Sequence, residues 1–225
     1  MTSTQIPIIT IDGPSGAGKG TIAQNVACEL GFHILDSGSL YRLTALASQD
    51  DGLEITDEAK IAELALNLPV TFEATESGLQ IFLREEDVTE AIRKEEIGMR
   101  ASKIATLPKV RKALLDRQRC FSEQPGLVAD GRDMGTTVFG DATLKIFMTA
   151  SVEERAERRY KQLKDKGINA NIAALVKDLK LRDEQDENRA VSPLAPAEDA
   201  IFLDTTEMSI EEVTQKVLEL VKQRI

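Results

Sequence analysis

A glycine-rich turn between a short β-branched run and a helical stretch limits what this chain can fold into more than any other feature. The turn, Gly13-Pro14-Ser15-Gly16-Ala17-Gly18-Lys19-Gly20-Thr21, follows Ile6 to Ile11, a run too short and too β-branched for a helix. After it, Lys19 to Leu30 carries Ile22, Val26, Ala27 and Leu30 on one helical face, and Gly31 closes the stretch. A strand, a Gly-x-x-x-x-Gly-Lys turn and a helix, in that order, make an anion cradle. Backbone N–H groups turn inward, the helix N-terminus adds partial positive charge, and Lys19 neutralises terminal phosphates. The alternative is a flexible turn with a solvent-facing lysine. With Gly near ~7% of residues, this spacing arises by chance in well under ~1% of chains of this length, so the cradle is the better reading.

The loop departs from the usual pattern once. Gly20 stands where Ser or Thr normally follows the lysine, and Thr21 comes one residue later. A magnesium ion accompanying ATP could be held by Thr21, by water or by a carboxylate elsewhere, and the residues do not choose among them.

Further short apolar runs occur at Ile34-Leu35, Leu127 to Ala129, Leu144 to Met148 and Ala200 to Leu203. Helical patterns lie between and after them at Val110 to Phe121, Val152 to Leu163, Ile172 to Arg189 and Glu211 to Val221. Strands alternating with helices predict an α/β protein of the P-loop NTPase fold: a five-stranded parallel sheet with helices on both faces. One stretch breaks the rhythm. Val70 to Glu73 and Leu79 to Leu83, joined by Thr75-Glu76-Ser77-Gly78, read as an antiparallel hairpin with a third strand near Asp87-Val88. Residues from Thr56 to about Thr106 are expected to be an insertion rather than an independent domain. The expected layout is one domain over 1–225. Its core takes about 1–36, 108–150 and 190–225; about 37–107 is a second region that contains the insertion, and about 151–170 is a short lid.

Composition narrows the function. The formal net charge is −10, from 28 Lys and Arg against 38 Asp and Glu, which argues against a nucleic-acid binder. An anionic small ligand would need a locally basic pocket. Two cysteines are too few for a disulfide framework, and one histidine removes a zinc triad and most His-based acid–base schemes. No apolar run reaches the ~20 residues that span a bilayer. Met1 to Pro7 lacks a basic patch ahead of an apolar stretch, so no secretory signal is expected, and the cytoplasm is the expected compartment.

Neither an Asn-Lys-x-Asp guanine-reading tetrapeptide nor a Leu-Ser-Gly-Gly-Gln transporter signature is present, and the chain is short for a two-lobed motor. A compact kinase remains, which must hold a second substrate and keep water from the donor phosphate. Asp36-Ser37-Gly38-Ser39-Leu40-Tyr41-Arg42 and Asp130-Gly131-Arg132-Asp133-Met134-Gly135 each follow a strand, so both reach the carboxyl edge of the sheet beside the phosphate loop. Arg155, Arg158 and Arg159 share one helical face, as do Arg182, Asp186 and Arg189. Any lone arginine reads better as a solvated salt bridge. Three clusters at one sheet edge favour a phosphate clamp.

These motifs, completed by Asn188-Arg189-Ala190-Val191-Ser192-Pro193-Leu194, resemble the bacterial cytidylate kinases over essentially the whole chain. The resemblance implies phosphorylation of CMP and dCMP by ATP with magnesium, within pyrimidine nucleotide metabolism. It implies that Ser102, Arg111 and Asp133 face the cytosine, and that Arg42, Arg132 and Arg189 hold the acceptor phosphate. Arg182 and Asp186 would meet the pentose, with Ser37 beside the acceptor nucleotide. Residues 13–21 with Arg155, Arg158 and Arg159 would bind ATP, the three arginines forming the lid. Lys19, Arg132 and Arg189 would carry the chemistry, and Gly20 is normal for the family. The expected partners are ATP and CMP or dCMP, with neither membrane nor nucleic acid, and the expected state is a monomer.

The chemistry agrees with one histidine. An acceptor phosphate monoester has a second pKa near ~6, so at neutral pH it is already a dianionic nucleophile and needs no general base. His33 reads as structural and Cys28 as a small core residue; Cys120 shows no partner. The acidic run Asp183 to Glu187 reads as a solvated face apart from Asp186. Arg100 to Arg119 carries seven cations against Asp116, and acceptor binding explains them better than nucleic acid, for want of interleaved aromatics. Two rivals stay open: a P-loop kinase for UMP, AMP or a small hydroxy acid, and a nucleotide-binding regulator without turnover.

Overall fold

The structure is a computed structural model that describes residues 6–75, 78–165, 167, 169–189 and 192–225. Along the chain run β1 (Ile8–Asp12), α1 (Lys19–Leu30), β2 (His33–Asp36), α2 (Ser37–Asp50), α3 (Glu58–Leu66), β3 (Val70–Thr75), β4 (Gly78–Leu83) and β5 (Glu86–Asp87). Then follow α4 (Glu95–Ile104), α5 (Pro108–Arg119), β6 (Leu127–Gly131), β7 (Leu144–Thr149), α6 (Val152–Asp165), α7 (Ile172–Glu187), β8 (Ile201–Asp204) and α8 (Ile210–Lys222). The order in the parallel sheet is β2-β6-β1-β7-β8, which makes β1 the central strand. Its register with β7 sets Ile9 opposite Leu144 and Ile11 opposite Ile146, and β7 continues to β8 with Met148 opposite Leu203. A second, antiparallel sheet has the order β3-β4-β5.

The chain divides into two compact units. One comprises residues 27–129 with the segment ending at Pro7; the other comprises Ile8–Val26 and Asp130–Ile225. In the first, α3 packs on α5 and α2 on α4. Leu35, Leu40, Leu43, Ile61, Leu68, Ile104 and Leu114 are fully buried there. Phe72 pairs with Ile81 across the hairpin, and its ring lies 5.6 Å from that of Phe121. In the second unit, Ile9, Ile11, Val26, Ile146, Met148 and Val217 are buried, and α6 packs on α7.

The five parallel strands lie where the apolar runs placed them, and the hairpin forms, though Glu76 and Ser77 of its turn fall outside the described residues. Three helices went unread in the sequence. In α2, Leu40, Leu43 and Ala47 fall on one buried face, but Ser, Thr and Gly between them blur the period. Its start is nevertheless encoded, because the Asp36 carboxylate accepts the Ser39 N–H at 2.9 Å as an N-cap. Two smaller readings need correction. Cys28 is exposed rather than a core residue, since it stands off the Ile22–Val26–Ala27 face. His33 lies inside β2 rather than before it, exposed, with Nε2 2.9 Å from the Gln124 carbonyl oxygen.

Helix α8 opens on a capping box. Ser209 Oγ accepts the Glu212 N–H at 3.2 Å while Glu212 Oε2 accepts the Ser209 N–H at 2.8 Å. Ser209→Ala should therefore lower the unfolding free energy by about 1 kcal/mol, the usual loss for an N-cap hydroxyl, as read by urea denaturation. An unchanged midpoint would show that the box adds nothing to this helix.

Candidate active site

The phosphate loop is built by close packing at the end of β1. A Cβ on Gly13 would fall 1.9 Å from the Met148 carbonyl oxygen, and Gly13 has φ +149°, so no other residue fits where the chain leaves the sheet. Gly18, at φ +90°, turns the loop into α1. Lys19 is buried. Its Nζ donates to the Pro14 carbonyl at 2.9 Å and stands 3.9 Å from Asp130 Oδ1. Asp130 Oδ2 also lies 3.3 Å from where a Cβ of Gly20 would stand, so the glycine in the usual Ser/Thr position gives a carboxylate from β6 access to the loop. Thr21 is exposed in the first turn of α1.

Asp130 opens the segment that contains Arg132 and Asp133. Arg132 Nε donates to Asp186 Oδ2 and Arg189 Nη2 to Asp186 Oδ1, so one carboxylate, 1% exposed, holds both arginines. Residues 134–138 form a single π-helical turn. Its start is anchored by Asp12, whose carboxylate accepts the N–H groups of Met134 at 2.9 Å and Gly135 at 2.7 Å. Burial pushes the Asp12 carboxyl up to about 6; the Asp133 charge adds to the rise, while the two N–H groups and Lys19 oppose it.

The three arginines expected to form a lid do different things. Arg155 is buried, donating to the Ser15 carbonyl at 2.9 Å and bidentately to Asp183 at 3.0 and 2.6 Å. Arg158 donates to the Ala17 carbonyl at 3.2 Å, to the Thr205 carbonyl at 2.6 Å and to Glu154 at 2.8 Å. Arg159 is exposed, with a 3.5 Å contact to Gln162. Arg182 is exposed on α7. Arg189 lies two residues beyond the end of α7 rather than within it, because the helix stops at Glu187 and Asn188 caps it.

The first unit holds the other expected contacts. Ser37 Oγ donates to Gln118 Oε1 at 2.8 Å, and both groups are buried. Arg42 donates to the Ile92 carbonyl at 2.9 Å, its guanidinium lying 3.1 Å from where a Cβ of Gly98 would be. Ser102 Oγ donates to the carbonyl of that same Gly98 at 3.0 Å, so Arg42 and Ser102 converge on one helical turn of α4. Arg111 Nη1 lies 3.4 Å from the Ala105 carbonyl.

Two expectations change here. Asp183 is a second exception in the acidic run, since it clamps Arg155. Arg100 and Arg117 belong to the scaffold: Arg100 donates to the Ser48 hydroxyl and the Leu53 carbonyl, and Arg117 to the Leu68 carbonyl while covering the Phe121 ring at 4.8 Å. Asp12, Gln118, Asp130 and Asp183 were not singled out from the sequence. Asp12 and Asp130 each carried a local sign, a carboxylate closing a largely apolar run.

A phosphate loop after the central strand of a parallel sheet, with acid-held arginines in the same compact unit, defines a P-loop α/β protein. A crystal structure of an uncharacterized protein from Eubacterium ventriosum ATCC 27560 shares that fold, with a TM-score of 0.53 at 12% identity over 97% of this chain and 99% of that one. One of TT1252 from Thermus thermophilus gives a TM-score of 0.50 at 16% identity over 99% of each chain. The chain belongs to the cytidylate kinase family, whose model matches residues 9–223. It is 58% identical to a cytidylate kinase of Stutzerimonas stutzeri over 97% of this chain and 96% of that protein. It is 56% identical to one of Colwellia psychrerythraea over 94% of each.

The raised Asp12 carboxyl makes a signed prediction. An unfolded chain loses this proton near pH 3.8, whereas the folded state keeps it to about 6. The contribution of this group to stability is therefore full below about pH 4 and falls as pH rises through about 6. The unfolding free energy of the parent relative to Asp12→Asn should decline over that window and level off above it. A difference that stays flat would show that Asp12 ionises like an exposed carboxylate.

Proposed function

We propose that the chain transfers the γ-phosphoryl group of ATP to CMP or dCMP, giving ADP and CDP or dCDP. Family membership supports the reaction, and one observation carries the site. Within four residues, Asp130 meets the phosphate-loop lysine, Arg132 joins Arg189 on the buried Asp186, and Asp133 follows beside them.

In this reading the residues position charge and do no covalent chemistry. The acceptor phosphate is already a dianion, so the obstacle is the approach of two polyanions, which fixed cations remove. The loop N–H groups and Lys19 hold the donor phosphates. Arg132 and Arg189, with Arg42, take the acceptor phosphate; a guanidinium has five donors, so each can keep its carboxylate and still bind a phosphate oxygen. Arg158, on the Ala17 carbonyl, is the lid arginine best placed for the donor. Ser37 stands beside the acceptor, Arg182 and Asp186 meet the pentose, and Ser102, Arg111 and Asp133 read the cytosine.

Magnesium fits the oxygen donors at the loop. Asp130 and the Thr21 hydroxyl are hard ligands, and this ion takes one or two protein oxygens alongside substrate phosphates. When bound, it would neutralise donor charge. In this reading the enzyme acts as a monomer in the cytoplasm, within pyrimidine nucleotide metabolism.

Lys19→Ala should leave the unfolding transition close to the parent and slow transfer by about 10²–10³, the scale of one lost transition-state cation. Retention of more than half the parental turnover at saturating ATP would remove Lys19 from the chemistry.

An acceptor panel of CMP, dCMP, UMP and AMP tests the reaction itself, with ADP expected to accumulate fastest on the cytidine nucleotides. Cytosine presents an amino donor where uracil presents a carbonyl, so a carboxylate favours the first and repels the second. Asp133→Ala should lower kcat/KM for CMP at least ~10-fold, about one charge-assisted hydrogen bond, while the KM for ATP stays put. The CMP-to-UMP preference should contract with it. Equal losses on both acceptors would mean that Asp133 does not read the base.

A further inference from the structure

Asp12 is a buried acid that the mechanism above leaves without a part. Among the described residues its carboxylate accepts two backbone N–H groups, those of Met134 and Gly135, at 2.9 and 2.7 Å. The partners are both donors, so a carboxylate suits the place and an amide does not: asparagine would turn its own N–H₂ toward one of them. The Gly135 position is just as tightly defined. A Cβ on Gly135 would stand 2.9 Å from Thr10 Oγ1 and 3.3 Å from Asp12 Oδ2. At the other end, a Cβ on Gly131 would fall 2.7 Å from Met134 Cγ, so the methionine folds back over the end of β6.

Arg132 and Asp133 lie between these two close contacts. The Asp133 carbonyl accepts the N–H groups of Thr137 at 2.9 Å and Val138 at 3.1 Å, which builds the π turn from the same residue that is proposed to read the cytosine. Single π turns concentrate at functional sites, where they aim a side chain that a regular helix would not. On its own side, Asp12 is followed directly by Gly13, where the phosphate loop begins. The two backbones that must be registered with each other are thus joined through one carboxylate.

We propose that Asp12 is a positioning residue for base selection, holding the Met134–Gly135 backbone so that Asp133 and Arg132 stand in fixed register with the phosphate loop. The inference rests on the reading of Asp133 as the group that recognises cytosine. A buried ionisable group is costly unless paired. Here the pairing is with two backbone donors of the acceptor-side segment, and burial already raises the acid's proton affinity.

The test uses the full-length enzyme and two variants that disturb this contact from its two partners, Asp12→Asn and Gly135→Ala. For each, kcat/KM is measured with CMP and with UMP, together with the KM for ATP and the thermal unfolding transition. In both variants kcat/KM for CMP should fall about 10-fold, the scale of one displaced charge-assisted hydrogen bond, mostly through KM for CMP. The CMP-to-UMP ratio should contract and the KM for ATP should stay at the parental value. A purely structural carboxylate would lower the unfolding temperature and leave the ratio untouched, and that result would overturn the proposal. So would a defect in ATP binding in place of CMP binding, or the failure of both variants to fold. A parent that shows no preference for CMP over UMP would overturn the base-reading role itself, and this inference with it. If Asp133→Ala contracts the ratio while the Asp12 and Gly135 variants do not, only the positioning role fails.

Discussion

The whole site depends on one steric fact, that the chain leaves the central strand at a point with no room for a side chain. Asp12 is paired with Phe147 on β7, and the next residue, Gly13, lies directly against the Met148 carbonyl. Glycine alone can take that contact at that φ, so the backbone turns at once. A larger residue would push the loop away from β7 and break the alignment of loop and helix α1 on which anion binding rests.

Around that loop, acids decide where the cations stand. In a chain with a formal net charge of −10, these cations are held in place by particular carboxylates. Asp186 holds Arg132 and Arg189, Asp183 holds Arg155, and Asp130 stands beside Lys19. Such pairs add little net stability once the cost of burying charge is counted. What they fix is geometry, and a side chain already ordered loses less entropy on binding a ligand. Gln118 does the same for Ser37. Its Nε2 donates to the Leu114 carbonyl and its Oε1 accepts the serine proton, leaving the hydroxyl oxygen as an acceptor.

The elements legible in the residues were those with a strong local signal. The five parallel strands are short apolar runs, α1 is framed by its glycines, and the hairpin alternates in and out. Helices α2, α3 and α4 were not read, for a physical reason. In α2 the buried face includes Ser37, Ser39, Thr44 and Ser48, polar residues that count against a helix until Thr44 and Ser48 are seen returning their hydroxyls to the carbonyls of Leu40 and Ala45. Cys28 went the other way. It adjoins Ala27 in sequence, and one step of 100° on the helix takes it off the buried face.

By itself the sequence determined the strand–loop–helix cradle, the alternation that makes the sheet parallel, and the family, because each depends on residues adjacent along the chain. Tertiary structure decided which acid serves which base. Asp183 and Arg155 are 28 residues apart, Arg132 and Asp186 54, and Asp12 and Gly135 123. No local pattern sets those pairings: a carboxylate in an acidic run looks solvated until packing removes the water and leaves an arginine or two backbone N–H groups as its only partners.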